Sequence, residues 1–228
     1  MTLTDKISYA AERKAFETLL DNLIKKGQTH DASQVASDLV AMVQRLHGDV
    51  WSEKSFQTLR MIANDPNGKW AHYTQRLLRD NDPYILKTFL TNAVYEGGIR
   101  GYHVAQETAA KYDINVPWLI LMDPTSACNM HCTGCWAAEY GHKQSLTFEE
   151  MDKTLTEAKA LGTHACLFTG GEPLMRKKDI IRLCEKHRDI AFHAFTNGTL
   201  IDDEFCKEML RVGNFFVSVS IEGFEEAN

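Results

Sequence analysis

The sequence predicts an α/β protein in which an all-helical N-terminal domain precedes an incomplete barrel of alternating strands and helices. In residues 5–112 the apolar side chains recur at helical spacing, whereas after Pro117 short apolar runs alternate with amphipathic stretches. The composition of the 228-residue chain, 44% hydrophobic and 25% charged, is that of an ordinary globular protein. We place the two domains at residues 1–113 and 114–228.

The N-terminal domain is expected to contain five or six helices. Its first segment carries a helical stripe of apolar residues: Ile7, Ala11, Phe16, Leu19, Leu20, Leu23 and Ile24. Glycine, proline and capping residues predict the breaks between helices, at Gly48, Asp65-Pro66-Asn67-Gly68, Asp82-Pro83 and Gly97-Gly98.

The second domain is predicted to consist of βα units with parallel strands. Its apolar runs place strands at residues 118–122, 165–169, 190–196 and 215–221. Its amphipathic stretches place helices near residues 147–161, 178–187 and 202–212. Ligands in α/β folds bind where parallel strands end, so the residues that follow each strand are expected to form one site.

Charge and hydropathy exclude several classes of protein. A formal net charge of −6 argues against a broad nucleic-acid or anionic-membrane surface. No apolar run approaches the roughly 20 residues of a membrane helix, and the N-terminus lacks the apolar segment of a secretory signal. We therefore expect a cytoplasmic protein with no membrane span.

The six cysteines fall into a cluster of three and three scattered residues. The clustered residues are Cys128, Cys132 and Cys135, and the scattered ones are Cys166, Cys184 and Cys206. Cytoplasmic thiols stay reduced, so metal binding by the cluster and simple burial of the other three are expected rather than disulfides. Thiolates are soft ligands that suit iron–sulfur clusters and zinc.

Two kinds of metal site are compatible with the clustered cysteines. A cubane [4Fe–4S] cluster normally takes four protein ligands, so three cysteines leave one iron open to an outside ligand. A structural zinc site with His131 as the fourth ligand is the alternative, although structural zinc ligands usually come as two separated pairs. A disulfide with one spare thiol is less favoured still.

A glycine pair follows the second predicted strand, in the segment Gly170-Gly171-Glu172-Pro173. Paired glycines let the backbone approach a ligand closely, and the neighbouring carboxylate suits an ammonium group. A plain strand-to-helix turn explains the same four residues when they are considered alone.

Together, the Cys-x-x-x-Cys-x-x-Cys motif with Asn129 and the Gly-Gly-Glu loop resemble the signature of the radical S-adenosylmethionine (SAM) superfamily. Weaker matches follow the third strand at Thr196-Asn197-Gly198 and the fourth strand at Ser220-Ile221-Glu222-Gly223. One departure is Gly134, where many members carry an aromatic residue. Trp136, after the third cysteine, could stack on adenine but is more often a packing residue.

The resemblance implies a radical SAM enzyme with a [4Fe–4S] cluster and SAM as cofactors. The implied cluster ligands are Cys128, Cys132 and Cys135, and the implied SAM-binding residues are Gly170, Gly171, Glu172, Asn197 and Ser220. Reductive cleavage of SAM would give methionine and a 5′-deoxyadenosyl radical, which acts on a small-molecule, lipid or peptide substrate. A low-potential electron donor, flavodoxin or ferredoxin, is the implied partner.

A second interpretation is a non-catalytic zinc- or cluster-binding interaction module. The resemblance covers residues 116–228 and says little about the helical domain. Because the family's usual barrel has six βα units and the sequence supplies four strands, we expect the chain to be truncated after the fourth strand. Structural roles are expected for His164, His187 and His193, and a solvated face for the basic run 176–178.

Overall fold

The computed structural model describes residues 3–27, 32–47, 52–137, 141, 143–221 and 223. The chain divides into two compact units, Met1–Ile99 and Arg100–Asn228. Within the described residues, no helix combines the length and apolar character that crossing a bilayer requires.

The first unit is helical. Its α-helices are α1 (Leu3–Gly27), α2 (Ala32–His47), α3 (Glu53–Ala63), α4 (Lys69–Asp80) and α5 (Pro83–Leu90). The carboxylate of Asp82 caps α5 by accepting the backbone N–H of Tyr84 at 2.8 Å, and Pro83 occupies the first turn, as the sequence predicts. The predicted break at Gly48 lies outside the described residues.

The predicted break at Gly97-Gly98 is wrong. After α5 the chain continues as a π-helix, Thr91–Gly101, and then as α6 (Tyr102–Tyr112). The π-helix contains the fully buried Glu96, whose carboxylate accepts a hydrogen bond of 2.5 Å from the hydroxyl of Tyr9. The side chain of Arg13 lies 3.4 Å from the same carboxylate oxygen, so the buried charge is compensated.

The second unit contains a parallel sheet whose strands lie in the order β1-β2-β3-β4. The strands are β1 (Ile120–Met122), β2 (Ala165–Phe168), β3 (Ala191–Thr196) and β4 (Phe215–Val219). The intervening helices are α7 (Phe148–Ala160), α8 (Lys177–Lys186) and α9 (Asp203–Val212), with a 3₁₀ helix, Pro173–Arg176, leading into α8. This confirms the predicted α/β class and the partial barrel.

One face of the sheet packs against these helices and forms the core of the unit. Its largest buried side chains on the strands are Phe168, Phe192 and Phe215, each worth roughly 1.5–3 kcal/mol on burial. Side chains on a strand alternate between faces, and Leu121 and Phe195 are accordingly exposed on the other face. The carboxyl ends of all four strands meet at one edge, where the loops of the predicted site begin.

Candidate functional site

The cysteine loop, residues 123–146, connects β1 to α7 and is closed at its base. Thr125 and Ser145 form an isolated antiparallel bridge, and their hydroxyl oxygens are 2.7 Å apart. The backbone N–H of Ser126 donates to the carbonyl of Gln144 at 2.8 Å. Both ends of the loop are therefore held together below the cysteines.

The three clustered cysteines line one small cavity, together with Gly171. Cys128 is half-buried, and its sulfur accepts a hydrogen bond of 3.4 Å from the backbone N–H of Met130. Cys132 and Cys135 are exposed. Among the described residues, no group of three or more His, Cys, Asp or Glu side chains is arranged to hold a single metal ion.

The glycine loop, residues 170–172, lies directly against the cysteine loop. The N–H of Gly171 donates to the carbonyl of Thr125 at 3.0 Å, and the N–H of Glu172 donates to the carbonyl of Ala127 at 2.8 Å. A Cβ atom on Gly171 would lie 2.2 Å from the carbonyl oxygen of Ala127. Glycine is thus required for contact between the two loops, independently of any ligand.

Glu172 is 2% exposed, and its carboxylate accepts three hydrogen bonds from its own chain. The donors are the N–H of Leu174 at 2.9 Å, the hydroxyl of Thr196 at 2.7 Å and the N–H of Asn197 at 2.9 Å. The carboxylate therefore caps the 3₁₀ helix and ties the glycine loop to the end of β3.

The two weaker predicted residues lie at the ends of β3 and β4. The side chain of Asn197 bonds to Asn129 of the cysteine loop at 3.0 Å, which brings these two predicted segments together. Ser220 is exposed, and its backbone N–H donates to the carbonyl of Thr196 at 2.8 Å. Glu222, from the same predicted motif, lies outside the described residues.

A larger cavity of about 460 Å³ adjoins the cysteine cavity. Its lining residues are Asp123, Ser126, Trp136, Ala137, Gln144, Ser145, Leu146, Gly170 and Gly171. Ser126, Ala137 and Gly171 line both cavities, so the larger cavity opens beside the three thiols. Asp123 accepts a hydrogen bond of 2.6 Å from the hydroxyl of Thr169.

Comparison with known proteins identifies this half of the chain. The model of the radical SAM superfamily matches residues 122–227, which span the cysteine loop, the glycine loop and all four strands. This part of the chain belongs to the radical SAM superfamily. Members of this superfamily use a [4Fe–4S] cluster and SAM.

Curated relatives match a stretch of similar length. The chain is 35% identical over 114 residues to Fe-coproporphyrin III synthase of Methanosarcina barkeri, covering 48% of this chain and 28% of that protein. It is 31% identical over 113 residues to AdoMet-dependent heme synthase of the same organism, covering 48% and 32%. It is 30% identical over 109 residues to GTP 3′,8-cyclase of Clostridium botulinum, covering 45% and 34%. The chain thus spans about a third of the length of these relatives.

Arg176 lies in the second unit, Arg100–Asn228, which we call the radical SAM unit, and it has a role that the sequence did not predict. The predicted solvated face is wrong for this residue, because its guanidinium donates to the carbonyls of Leu146 at 2.7 Å and Pro124 at 3.3 Å. It also pairs with Asp179 at 2.7 Å. Arg176 therefore joins the two ends of the cysteine loop. In the sequence, Asp179 three positions later could have indicated that Arg176 forms an ion pair instead of facing solvent.

The histidines have structural partners, as expected. Buried His164 bonds through Nδ1 to the carbonyl of Asp189 at 2.9 Å, and His187 bonds through Nε2 to Asp152 at 2.9 Å. Burial lowers the pKa of His187 and that of His193, which favours neutral imidazoles.

The scattered cysteines differ from one another. Cys166 and Cys184 are buried in the core, and burial raises the pKa of both thiols. Cys206 is exposed on α9, so its predicted burial is wrong.

Proposed function

We propose that the radical SAM unit holds a [4Fe–4S] cluster on Cys128, Cys132 and Cys135 and binds SAM beside it. With one iron left open, the bound cluster and SAM together supply a 5′-deoxyadenosyl radical for reaction with a substrate. The observation that carries the proposal is that the three thiols and Gly171 line one cavity, which adjoins a second, larger cavity.

The larger cavity suits SAM in size and chemistry. Its volume of about 460 Å³ lies within the usual range for small-molecule sites. We assign the glycine loop, Gly170 to Glu172, to the methionine part of SAM through its backbone. The carboxylate of Asp123 offers a partner for a positive charge, and Trp136, which is 60% exposed, offers an aromatic face to adenine.

Asn197 and Ser220 are proposed to contact SAM from the ends of the neighbouring strands. The amide of Asn197 donates one hydrogen to Asn129, which leaves its second N–H for the ligand. The exposed hydroxyl of Ser220 is assigned to a polar group of the ribose or methionine part.

The reaction of the whole protein is proposed only by class. The substrate is a small molecule, a lipid or a peptide, and a low-potential flavodoxin or ferredoxin supplies the electron. The chemistry requires a reducing compartment, for which the cytoplasm is the proposed location.

Anaerobic reconstitution with iron and sulfide tests the proposal. The expected product is a brown protein whose iron and sulfide contents match one [4Fe–4S] cluster per chain, and whose reduction with dithionite in the presence of SAM yields 5′-deoxyadenosine. A colourless protein that holds a single zinc ion would instead support the zinc-binding module. A cluster-bearing protein whose electron paramagnetic resonance (EPR) spectrum does not change when SAM is added would support a cluster-carrying module.

A further inference from the structure

A closed ring of side-chain hydrogen bonds joins the cysteine loop to the segment after β3. The amide nitrogen of Asn129 donates to the hydroxyl of Thr199 at 2.7 Å, and that hydroxyl donates to the amide oxygen of Asn197 at 2.6 Å. The amide nitrogen of Asn197 then donates to the amide oxygen of Asn129 at 3.0 Å. Every bond runs in the same direction around the ring, so each polarises the next.

A backbone N–H group fixes which end of the Asn197 side-chain amide is the oxygen, and so fixes the direction of the hydrogen bonds around the ring. The amide oxygen of Asn197 also accepts the N–H of Thr199 at 3.0 Å, which an amide nitrogen could not do. The N–H of Asn197 donates to Glu172 at 2.9 Å. A continuous path of hydrogen bonds therefore runs from the glycine loop, through Asn197, to Asn129, the residue next to Cys128.

We propose that Asn129 is a positioning residue that couples the SAM-binding glycine loop to the first cluster ligand. This inference rests on the proposed function. Asn129 follows Cys128 directly in the chain, so holding its amide limits the movement of the Cys128 sulfur relative to the glycine loop. Within the ring, Asn129 is the single member contributed by the cysteine loop, and its loss removes the side-chain hydrogen bonds that join this part of the loop to Asn197 and Thr199.

The ring contributes to position more than to overall stability. Asn129 and Thr199 are exposed, and hydrogen bonds open to water contribute little net free energy. Asn129→Ala should therefore leave the thermal midpoint of unfolding almost unchanged while it alters the site. This separates a positioning role from a purely structural one.

The first experiment uses the reconstituted full chain and SAM itself as the probe. Asn129→Ala should keep its cluster, because the three thiols remain, but should bind SAM about tenfold more weakly, which is about 1.4 kcal/mol. In the EPR spectrum of the reduced cluster, the lines of the SAM-bound form should broaden. Thr199→Ala should reproduce both effects, whereas Thr199→Ser keeps the hydroxyl and should restore wild-type behaviour.

Two comparisons make the test specific to the ring. The double variant Asn129→Ala/Thr199→Ala should be no weaker than either single variant, because breaking one bond already opens the ring. Thr154→Ala, on the exposed face of α7, removes a threonine hydroxyl elsewhere and should change nothing. Additive losses in the double variant would contradict the ring as a unit.

A second measurement needs no cluster. In the cluster-free protein, Asn129→Ala should raise the rate of alkylation of half-buried Cys128 several-fold, as measured by peptide mass spectrometry, while the rate at Cys206 stays constant. If Asn129→Ala shows wild-type alkylation and wild-type SAM binding, the positioning role of Asn129 is wrong, while the proposed function stands. A wild-type chain that takes up no cluster overturns the proposed function and, with it, the coupling to SAM.

Discussion

The carboxylate of Glu172 accepts a hydrogen bond of 2.9 Å from the backbone N–H of Asn197, and this contact joins the ends of β2 and β3. Its other oxygen accepts from Leu174 and Thr196. A buried carboxylate with three donors from its own chain is a structural tie as well as part of a ligand-binding loop. Charge at position 172 is therefore coupled to the shape of the whole strand edge.

Glu172→Gln is predicted to destabilise the radical SAM unit. An amide offers N–H groups where the carboxylate accepts, so at least one buried donor loses its partner, at a cost of about 1–3 kcal/mol in the free energy of unfolding. Urea denaturation measures this change. Glu157→Gln, on the exposed surface of α7, is the matched control and should stay within about 0.5 kcal/mol of wild type. Equal losses in the free energy of unfolding in both variants would contradict the structural role of the Glu172 carboxylate.

Local patterns predicted the architecture because they are set by short-range chemistry. Continuous apolar runs and amphipathic stretches define strands and helices without knowledge of the tertiary fold, as the helix predicted near residues 147–161 shows. The strand predicted at residues 118–122 is shorter in the structure, where Trp118 is 79% exposed and pairing begins at Ile120. A run of apolar letters alone does not say which of its residues find a partner strand.

The partners of polar side chains could not be predicted, because they come from distant parts of the chain. Asn129 and Thr199 meet across 70 residues, and Arg176 reaches Pro124 across 52. The π-helix was missed for a related reason. Its buried Glu96 accepts a hydrogen bond from Tyr9, 87 residues earlier, and such a distant partner cannot be seen in the local sequence, so the glycine pair that follows was interpreted as a break.

Gly171→Ala is predicted to abolish both cluster uptake and SAM binding. The added Cβ would lie 2.2 Å from the backbone oxygen of Ala127, so one of the two loops must move. Iron content after reconstitution and SAM titration measure the two effects. Gly98→Ala is the matched control, since the added Cβ would lie 3.4 Å from the carbonyl oxygen of Ala93, which is an ordinary contact. A Gly171→Ala protein with full iron content would show that the loops are not interdependent.

The radical SAM unit is predicted to lose stability as the pH falls below about 6.5, the ordinary pKa of histidine. Burial lowers the pKa of His193, so the unfolded chain binds a proton more readily than the folded one. The contribution of His193 is therefore complete above pH 6.5 and declines toward its lower folded pKa. His193→Gln should flatten the fall in the thermal midpoint between about pH 7.5 and 5.5. An unchanged slope would contradict a contribution from His193.

Single substitutions of the clustered cysteines are predicted to abolish cluster binding, because two thiolates cannot replace three around a cubane. Iron content is measured after anaerobic reconstitution of Cys128→Ala, Cys132→Ala and Cys135→Ala, with circular dichroism to check folding. Cys206→Ala is the proper control, since this thiol is exposed on α9, whereas alanine at the buried Cys166 or Cys184 would also remove core packing.

His131→Ala separates a cluster from the zinc alternative in the same experiment. A zinc site with three cysteines needs a fourth protein ligand or an open position, and His131 is the neighbouring candidate. A cluster that leaves its fourth iron to SAM does not need the imidazole, so His131→Ala should keep full iron content while each cysteine variant loses it. Loss of metal in His131→Ala as well would favour zinc, because the imidazole would then complete the coordination. Full iron content in any of the three cysteine variants would mean that the cluster is held elsewhere.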